Sequence, residues 1–177
     1  MNRKSALALA AVSLVTVACT TSSMTDPRSS ATSRLESRSG SSVTGELQFV
    51  QTGQAVQVKG RVSGLRPNAE HGFHVHENGD CSAPDATSAG GHFNPGGTPH
   101  GRPDAPPSAR HAGDLMSLRA DASGTARVDL QMHGVTVAAG PAGLVGRSVV
   151  VHRDPDDYRS QPAGNSGARV ACGLIRQ

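Results

Sequence analysis

Tryptophan is absent, and the remaining aromatic residues are one Tyr and three Phe. A core of large rings is therefore excluded, and any packed interior must be assembled from Val, Leu and Ala. Long apolar runs are missing too. One uncharged stretch, Ala6 to Ala18, is present, too short and too solitary for a multi-pass membrane protein. Charge of one sign is also lacking. The chain holds 17 Lys+Arg against 14 Asp+Glu, and from residue 44 onward the two balance at 12 each. That balance excludes the one-sided basic face of a nucleic-acid binder. What is plentiful breaks helices: 21 Gly and 11 Pro argue against a mostly helical protein. The 177 residues suit one domain with tails.

Arg3 and Lys4 precede the apolar run, the pattern of a secretory signal over residues 1–19. Its end, Leu14-Val15-Thr16-Val17-Ala18-Cys19, resembles the lipobox of bacterial lipoproteins, with Thr16 where an aliphatic usually stands. The expectation is export to the periplasm or cell envelope with a lipid anchor on Cys19. Ordinary cleavage after Ala18 is the alternative. The chain has three Cys. If Cys19 carries lipid, Cys81 and Cys172 remain as a possible pair, and an exported compartment permits their oxidation. Residues 20–42 are rich in Ser, Thr and Arg and poor in aliphatics, so they read as a disordered tether.

From Val43 onward short β-like runs follow one another: 43–50, 55–62, 72–76, 114–118, 126–132, 145–152 and 168–175. Several alternate apolar and polar residues, and Gly, Pro, Asn and Asp clusters separate them. Many short strands with turn signals predict an all-β domain over 43–177, a sandwich or barrel. Two stretches resist this reading. Between His92 and Asp114 lie five Pro and four Gly, a structureless segment of roughly 20 residues, and loops of that length in a compact domain are usually functional or disordered. Residues 153–167 form a second irregular stretch.

All eight His follow residue 70. His74 and His76 stand at i and i+2 within a β-like run, so they share one face and can converge on one metal, while Phe73 and Val75 point to the core. His92, His100, His111 and Asp114 lie within or close the Pro/Gly loop. Three imidazoles and a carboxylate form a plausible four-coordinate zinc set. His152 ends the apolar Val149-Val150-Val151 run. His71 shares parity with Phe73 and Val75 and reads as a buried structural residue. His133, before a Gly, reads as a surface residue.

These segments carry a resemblance. His71-Gly72-Phe73-His74-Val75-His76-Glu77, then Gly90-Gly91-His92-Phe93-Asn94-Pro95, His100, His111-Ala112-Gly113-Asp114-Leu115, Val151-His152 and the run Gly164 to Gly173 together resemble the Cu/Zn superoxide dismutases, over about residues 44–177. The resemblance implies a Greek-key β-barrel or sandwich of about eight antiparallel strands with two long functional loops. It implies copper at His74, His76, His92 and His152, and zinc at His92, His100, His111 and Asp114, with His92 bridging the two. It further implies a Cys81–Cys172 disulfide, an Arg169 that attracts the anionic substrate, and an Asp156 that links His74 to His100 from behind. Asp154 and Asp157 stand close to that last position. The implied function is disproportionation of superoxide to oxygen and hydrogen peroxide by a redox-cycling copper, protecting the cell envelope. Pairing of two copies into a homodimer is a further implied partnership. Imidazole nitrogen suits copper in both oxidation states, zinc does not change oxidation state, and Arg is always charged. Two other classes fit part of the pattern: a non-enzymatic copper-binding or copper-delivery module on the same fold, and a zinc-stabilised binding domain.

Overall fold

The computed structural model describes residues 29–177. The signal region, Cys19 and residues 20–28 of the expected tether lie outside the described residues. Nine strands follow in chain order: β1 (Ser30–Ser37), β2 (Thr44–Thr52), β3 (Ala55–Ser63), β4 (Glu70–His71), β5 (Phe73–His76), β6 (Leu118–Arg119), β7 (Ala126–His133), β8 (Ser148–His152) and β9 (Arg169–Arg176). Seven form one antiparallel sheet in the order β5-β8-β9-β1-β2-β3-β7, and β4 pairs with β6 in a short ribbon. The chain crosses between the two ends of the sheet three times: after β3, after β5 by way of β6, and after β7. Of the two long loops in this all-β Greek-key arrangement, 77–117 belongs to the crossing after β5, and 153–168 joins the paired neighbours β8 and β9.

Alternation drives the long strands. In β2 and β3, Leu47, Phe49, Val56, Val58 and Val62 are buried, while Glu46, Gln48, Lys59 and Arg61 face outward. The buried set joins Phe73, Val75, Val149 and Val151 in a core in which Val is the commonest side chain. A sheet whose two ends share one core has to curl. β5 and β8 are buried along their whole length, which is why their sequences read as continuous apolar runs broken only by Ser148 and the histidines. Val150, on the opposite side of β8 from Val149 and Val151, packs with Cys81, Ala86, Ala89 and Cys172 in a second, smaller cluster.

The tether expected over 20–42 is corrected at its C-terminal end, because residues 30–37 form β1, an interior strand. It pairs with β2 from Ser30↔Val50 to Leu35↔Gly45, and with β9 at Thr32↔Arg176, Ser33↔Ile175, Glu36↔Cys172 and Ser37↔Ala171. Its inward residues Ala31, Ser33 and Leu35 are buried and alternate with exposed Thr32, Arg34 and Glu36. Composition concealed it: two aliphatics in eight residues look like a linker, and the ladders on both sides supply what the side chains do not. The expected strand at 114–118 shrinks to Leu118–Arg119, because the Asp114 carboxylate turns back to accept the N–H groups of Gly101 (3.1 Å) and His111 (2.8 Å). His133 is exposed, as the sequence predicts.

If β1 is a working strand, Leu35→Ala is expected to cost about 2–5 kcal/mol, the range for truncating a buried Leu. It would be read as a shift in the urea midpoint at constant slope. Arg34→Ala, on the outer face, is expected to stay within about 0.5 kcal/mol. Equal silence of both would mean that residues 30–37 do not belong to the fold.

Candidate metal centre

β5 is short and buried, and its pairing with β8 sets Phe73↔Val151, His74↔Val150 and His76↔Ser148. The period of two sends Phe73 and Val75 into the main core and His74 and His76 to the other side. Gly72 lets the entry to β5 approach the 153–167 loop: a Cβ there would lie 2.6 Å from Ser166 Oγ and 3.3 Å from His152 Cβ. The Gly72 N–H donates to Asp154 O (2.8 Å), and the His152 N–H donates to Gly72 O (2.8 Å). His92 joins through an isolated bridge to His76, and Asp114 through one to His74.

Two groups of potential metal ligands result: His74, His76, His92 and His152, and His92, His100, His111 and Asp114. Within each group the ligand atoms lie within 4.8 Å of one another, and all seven residues are buried. His92 belongs to both. Its ring stacks on His74 with centroids 3.9 Å apart and meets His111 edge-on at 5.4 Å.

Hydrogen bonding fixes which nitrogen of each ring is available. His74 donates Nε2–H to Asp156 Oδ2 (2.7 Å), His76 donates Nδ1–H to Gly90 O (3.0 Å), and His152 donates Nδ1–H to Gly167 O (3.2 Å). The opposite nitrogens, His74 Nδ1, His76 Nε2 and His152 Nε2, are buried without a partner, and so is His92 Nε2. A ligating imidazole usually gives its other N–H to a carboxylate or a carbonyl in this way. Buried polar atoms without partners are rare and costly. Four of them, aimed at one point, are what a metal ion would satisfy.

The second group is spaced for an ion as well. His92 Nδ1 and His100 Nδ1 each lie 2.9 Å from Asp114 Oδ1, His111 Nδ1 lies 3.4 Å from it, and His111 Nδ1 is 3.3 Å from His92 Nδ1. Four-coordinate zinc with bonds of about 2.0–2.1 Å would set its ligand atoms about 3.3 Å apart at the corners of a tetrahedron. The donor set, three imidazoles and one carboxylate, fits zinc.

The electrostatics favour neutral ligands in the first group. Burial pushes the His76 and His152 pKa values well below the usual range, neighbouring rings and Arg169 adding to the effect. Burial lowers His74 too, partly offset by Asp156. His92 is brought down to about 4 by burial, against a smaller upward pull from Asp114. An unprotonated ring is the form a metal needs. For His100 burial works downward, but the Asp114 and Asp156 carboxylates outweigh it and raise the pKa to about 9. Both carboxyls stay below the ordinary range despite burial, because His100 and its neighbouring rings hold them ionised.

Asp156 accepts from His74 at Oδ2 and lies 3.0 Å from His100 Nε2 at Oδ1, so it spans the two groups. Asp154 bonds Arg153 instead, and Asp157 caps Arg159 and Ser160. Gly164, in left-handed backbone (φ 65°), leaves room for the Asp156 carboxylate, which a Cβ there would strike. Arg169 is half-buried at the start of β9 and donates Nη1–H to Ala86 O and Nη2–H to Gly90 O, both at 2.7 Å. The Cys81–Cys172 disulfide, with Cα atoms 5.8 Å apart, anchors the same 81–90 segment to β9. Gly90 O therefore holds both His76 and Arg169. His71 lies in neither group and donates Nδ1–H to the His152 carbonyl (2.9 Å), a structural place.

Sequence reasoning missed the residues that fasten the loops. Glu77 Oε1 accepts the Gly91 N–H (2.9 Å) next to His92, Tyr158 binds across to Ser117 just past the Pro/Gly loop, and Gln161 binds His100 within it. The lone Tyr of the chain was the one available signal. Surface clefts over the outer face of β1–β3 and beside the disulfide lie away from the histidines.

The comparisons agree with this geometry. The family model described as copper/zinc superoxide dismutase matches residues 43–175. The chain is 43% identical over 140 residues to Superoxide dismutase [Cu-Zn] 2 of Aquifex aeolicus (strain VF5), a match covering 76% of this chain and 80% of that one. It is 41% identical over 139 residues to Superoxide dismutase [Cu-Zn] of Paramecium bursaria Chlorella virus 1, covering 75% of this chain and 72% of that one. The crystal structure of the clock protein EA4 superposes with a TM-score of 0.75 at 39% identity, covering 84% of this chain and 94% of that one. With the matched region spanning every strand after β1 and both ligand groups, the chain belongs to the copper/zinc superoxide dismutase family.

Proposed function

We propose that the chain is a superoxide dismutase of the cell envelope, with copper held by His74, His76, His92 and His152 and zinc held by His92, His100, His111 and Asp114. The observation that carries this reading is the set of four buried, unpartnered ring nitrogens converging on one point beside a second, zinc-spaced set. When bound, copper supplies one-electron exchange with superoxide, and zinc supplies fixed charge and structure. Overall, two superoxide anions and two protons become one oxygen and one hydrogen peroxide.

The chain's own residues do the rest. Arg169 spends two N–H groups on carbonyls and keeps the remaining three of its five for an approaching anion. Its charge raises the local concentration of an anionic substrate. His92 can hold a proton at Nε2, the nitrogen that faces the first group, and pass it on. Asp156 fixes the tautomers of His74 and His100, and Gly90 and Gly167 fix those of His76 and His152. A copper-delivery module would be expected to lack a ligand or Arg169, and the sequence carries all of them.

Export and a lipid anchor on Cys19 complete the proposal. They rest on Arg3 and Lys4, the apolar run and the lipobox-like end. The disulfide is consistent with an oxidising compartment. A homodimer is part of the reading with one constraint: among the described residues the exposed large apolar side chain is Met116, so a second copy would be held chiefly through polar contacts.

Metal analysis of the mature protein is expected to find one copper and one zinc per chain, together with consumption of superoxide. Zinc alone and no loss of superoxide would overturn the reading. His152→Ala is expected to lower activity more than about 100-fold, beyond the usual effect of losing an outer partner, while zinc is kept. Arg169→Ala should reduce kcat/KM about tenfold and flatten its dependence on ionic strength, measured at low and high salt. Mass spectrometry of the mature N-terminus should find lipid on Cys19. A start beyond Cys19, or an unmodified Cys19, would exclude the anchor.

A further inference from the structure

The loop that carries His100 meets β5 at its two ends, where the Phe93 N–H donates to Val75 O (2.8 Å) and the Val75 N–H donates to Gly113 O (2.9 Å). Between His92 and Asp114 the regular structure is one 3-10 turn, Pro107–Ala109. The His100 N–H donates to Gln161 Oε1 at 2.8 Å, and Gln161 Nε2–H donates to His100 O at 2.9 Å. The side-chain amide thus pairs with both backbone polar groups of one residue, as the backbone of an adjacent strand would. Gln161 is held on its own loop by a further bond from Nε2–H to Arg159 O (3.3 Å).

A second fastening lies on the other side of Asp156. The Ser117 N–H donates to Tyr158 Oη (2.8 Å), Tyr158 Oη–H donates to Ser117 Oγ (3.1 Å), and the Asp156 N–H reaches Ser117 Oγ (3.3 Å). The Tyr158 N–H donates to Asp156 Oδ1 (2.7 Å), and the Arg102 guanidinium covers its ring at 5.2 Å. The irregular 153–167 loop is therefore clasped to the Pro/Gly loop at two points, 158 and 161, with Asp156 preceding both.

We propose that Gln161 is a positioning residue for the zinc side: it fixes the backbone of His100 so that the ring meets Asp114 and Asp156 together. The inference rests on the zinc assignment made above. His100 needs such a fixture more than its companions do. Its ring is aimed from both nitrogens, Nδ1 at Asp114 and Nε2 at Asp156, so a backbone shift moves it off both at once. Groups that orient a ligand from outside the coordination sphere typically change metal affinity 10–100-fold. Gln161 lies at the surface, so water can solvate the freed His100 amide and carbonyl, and the lower end of that range applies.

The test is zinc transfer from the fully metallated chain to a colorimetric chelator, with Gln161→Met as the apolar variant of similar length and Arg159→Ala as the neighbouring control. Gln161→Met is expected to release zinc roughly tenfold faster, with copper retained and the metal-free melting temperature unchanged. Arg159→Ala should match the parent. In hydrogen exchange of the metal-free chain, the His100 amide should lose protection in Gln161→Met. Zinc release at the parent's rate would overturn the proposal and leave the zinc assignment standing. A fall in the metal-free melting temperature with both metals loosened equally would show a merely structural role and overturn it as well. A parent chain that takes up no zinc would instead overturn the assignment itself.

Discussion

Six imidazoles and one carboxylate share a volume from which water is nearly excluded, and the rest of the molecule is arranged around that fact. Four ring nitrogens there have no hydrogen-bond partner. Each such group costs about 1–3 kcal/mol when buried unsatisfied, a serious sum beside the 5–15 kcal/mol that stabilises an ordinary domain. Filling the site therefore contributes to folding as well as to chemistry. The opposing nitrogens meet the other half of the demand. Asp156, Gly90 O and Gly167 O each take an N–H and so leave one lone pair free on His74, His76 and His152. The first-group geometry is thus set by three hydrogen bonds made on the far side of the rings.

The fold supplies rigid ground for those bonds. β5 and β8 are buried on both faces, with the main core on one side and the small Cys81–Cys172 cluster on the other. The disulfide closes a separation of 91 residues, which chain-entropy reasoning credits with roughly 4 kcal/mol. Its functional consequence is local. It ties down the segment whose Ala86 and Gly90 carbonyls hold the Arg169 guanidinium and the His76 ring. An oxidised Cys81–Cys172 pair and a fixed Arg169 guanidinium are one structural statement.

Much of this was legible in the sequence. The i, i+2 spacing of His74 and His76, the apolar residues between and beside them, and the Val run before His152 follow from the period of a strand. The zinc-like set was legible as chemistry, because the Pro/Gly loop needed something other than its backbone to hold it. Strand β1 was not legible, since Ala31 and Leu35 are its two buried aliphatics and Ser33 looks like a linker residue. What makes it a strand is the pair of ladders offered by β2 and β9, neither of which is local. The place of Asp156 came from the family resemblance, and geometry separates it from its neighbours: Asp154 turns out to Arg153, and Asp157 caps its own loop. Gln161 and Tyr158 were beyond reach because their partners lie 61 and 41 residues away, and in Gln161's case the partner is a backbone that any residue could present.

The two halves of the centre are built differently, and the difference has a physical consequence. His74, His76 and His152 stand on paired strands, whereas His92, His100, His111 and Asp114 all lie outside them. Fixing a residue's backbone costs about 1–2 kcal/mol in conformational entropy. For the strand-borne ligands that cost is met by the sheet and its core. For the loop-borne ligands it falls on the contacts between loops and on the ion they would hold. The 153–167 loop answers this with Asp156, Tyr158 and Gln161, each reaching across to a residue of the Pro/Gly loop or just beyond it. His92 lies at the seam, with one ring nitrogen toward the strand-built half and the other toward the loop-built half. Any slack in the loops is therefore passed through its ring to the strand-built half, which is a physical reason for the loop-built half to be fastened from more than one direction.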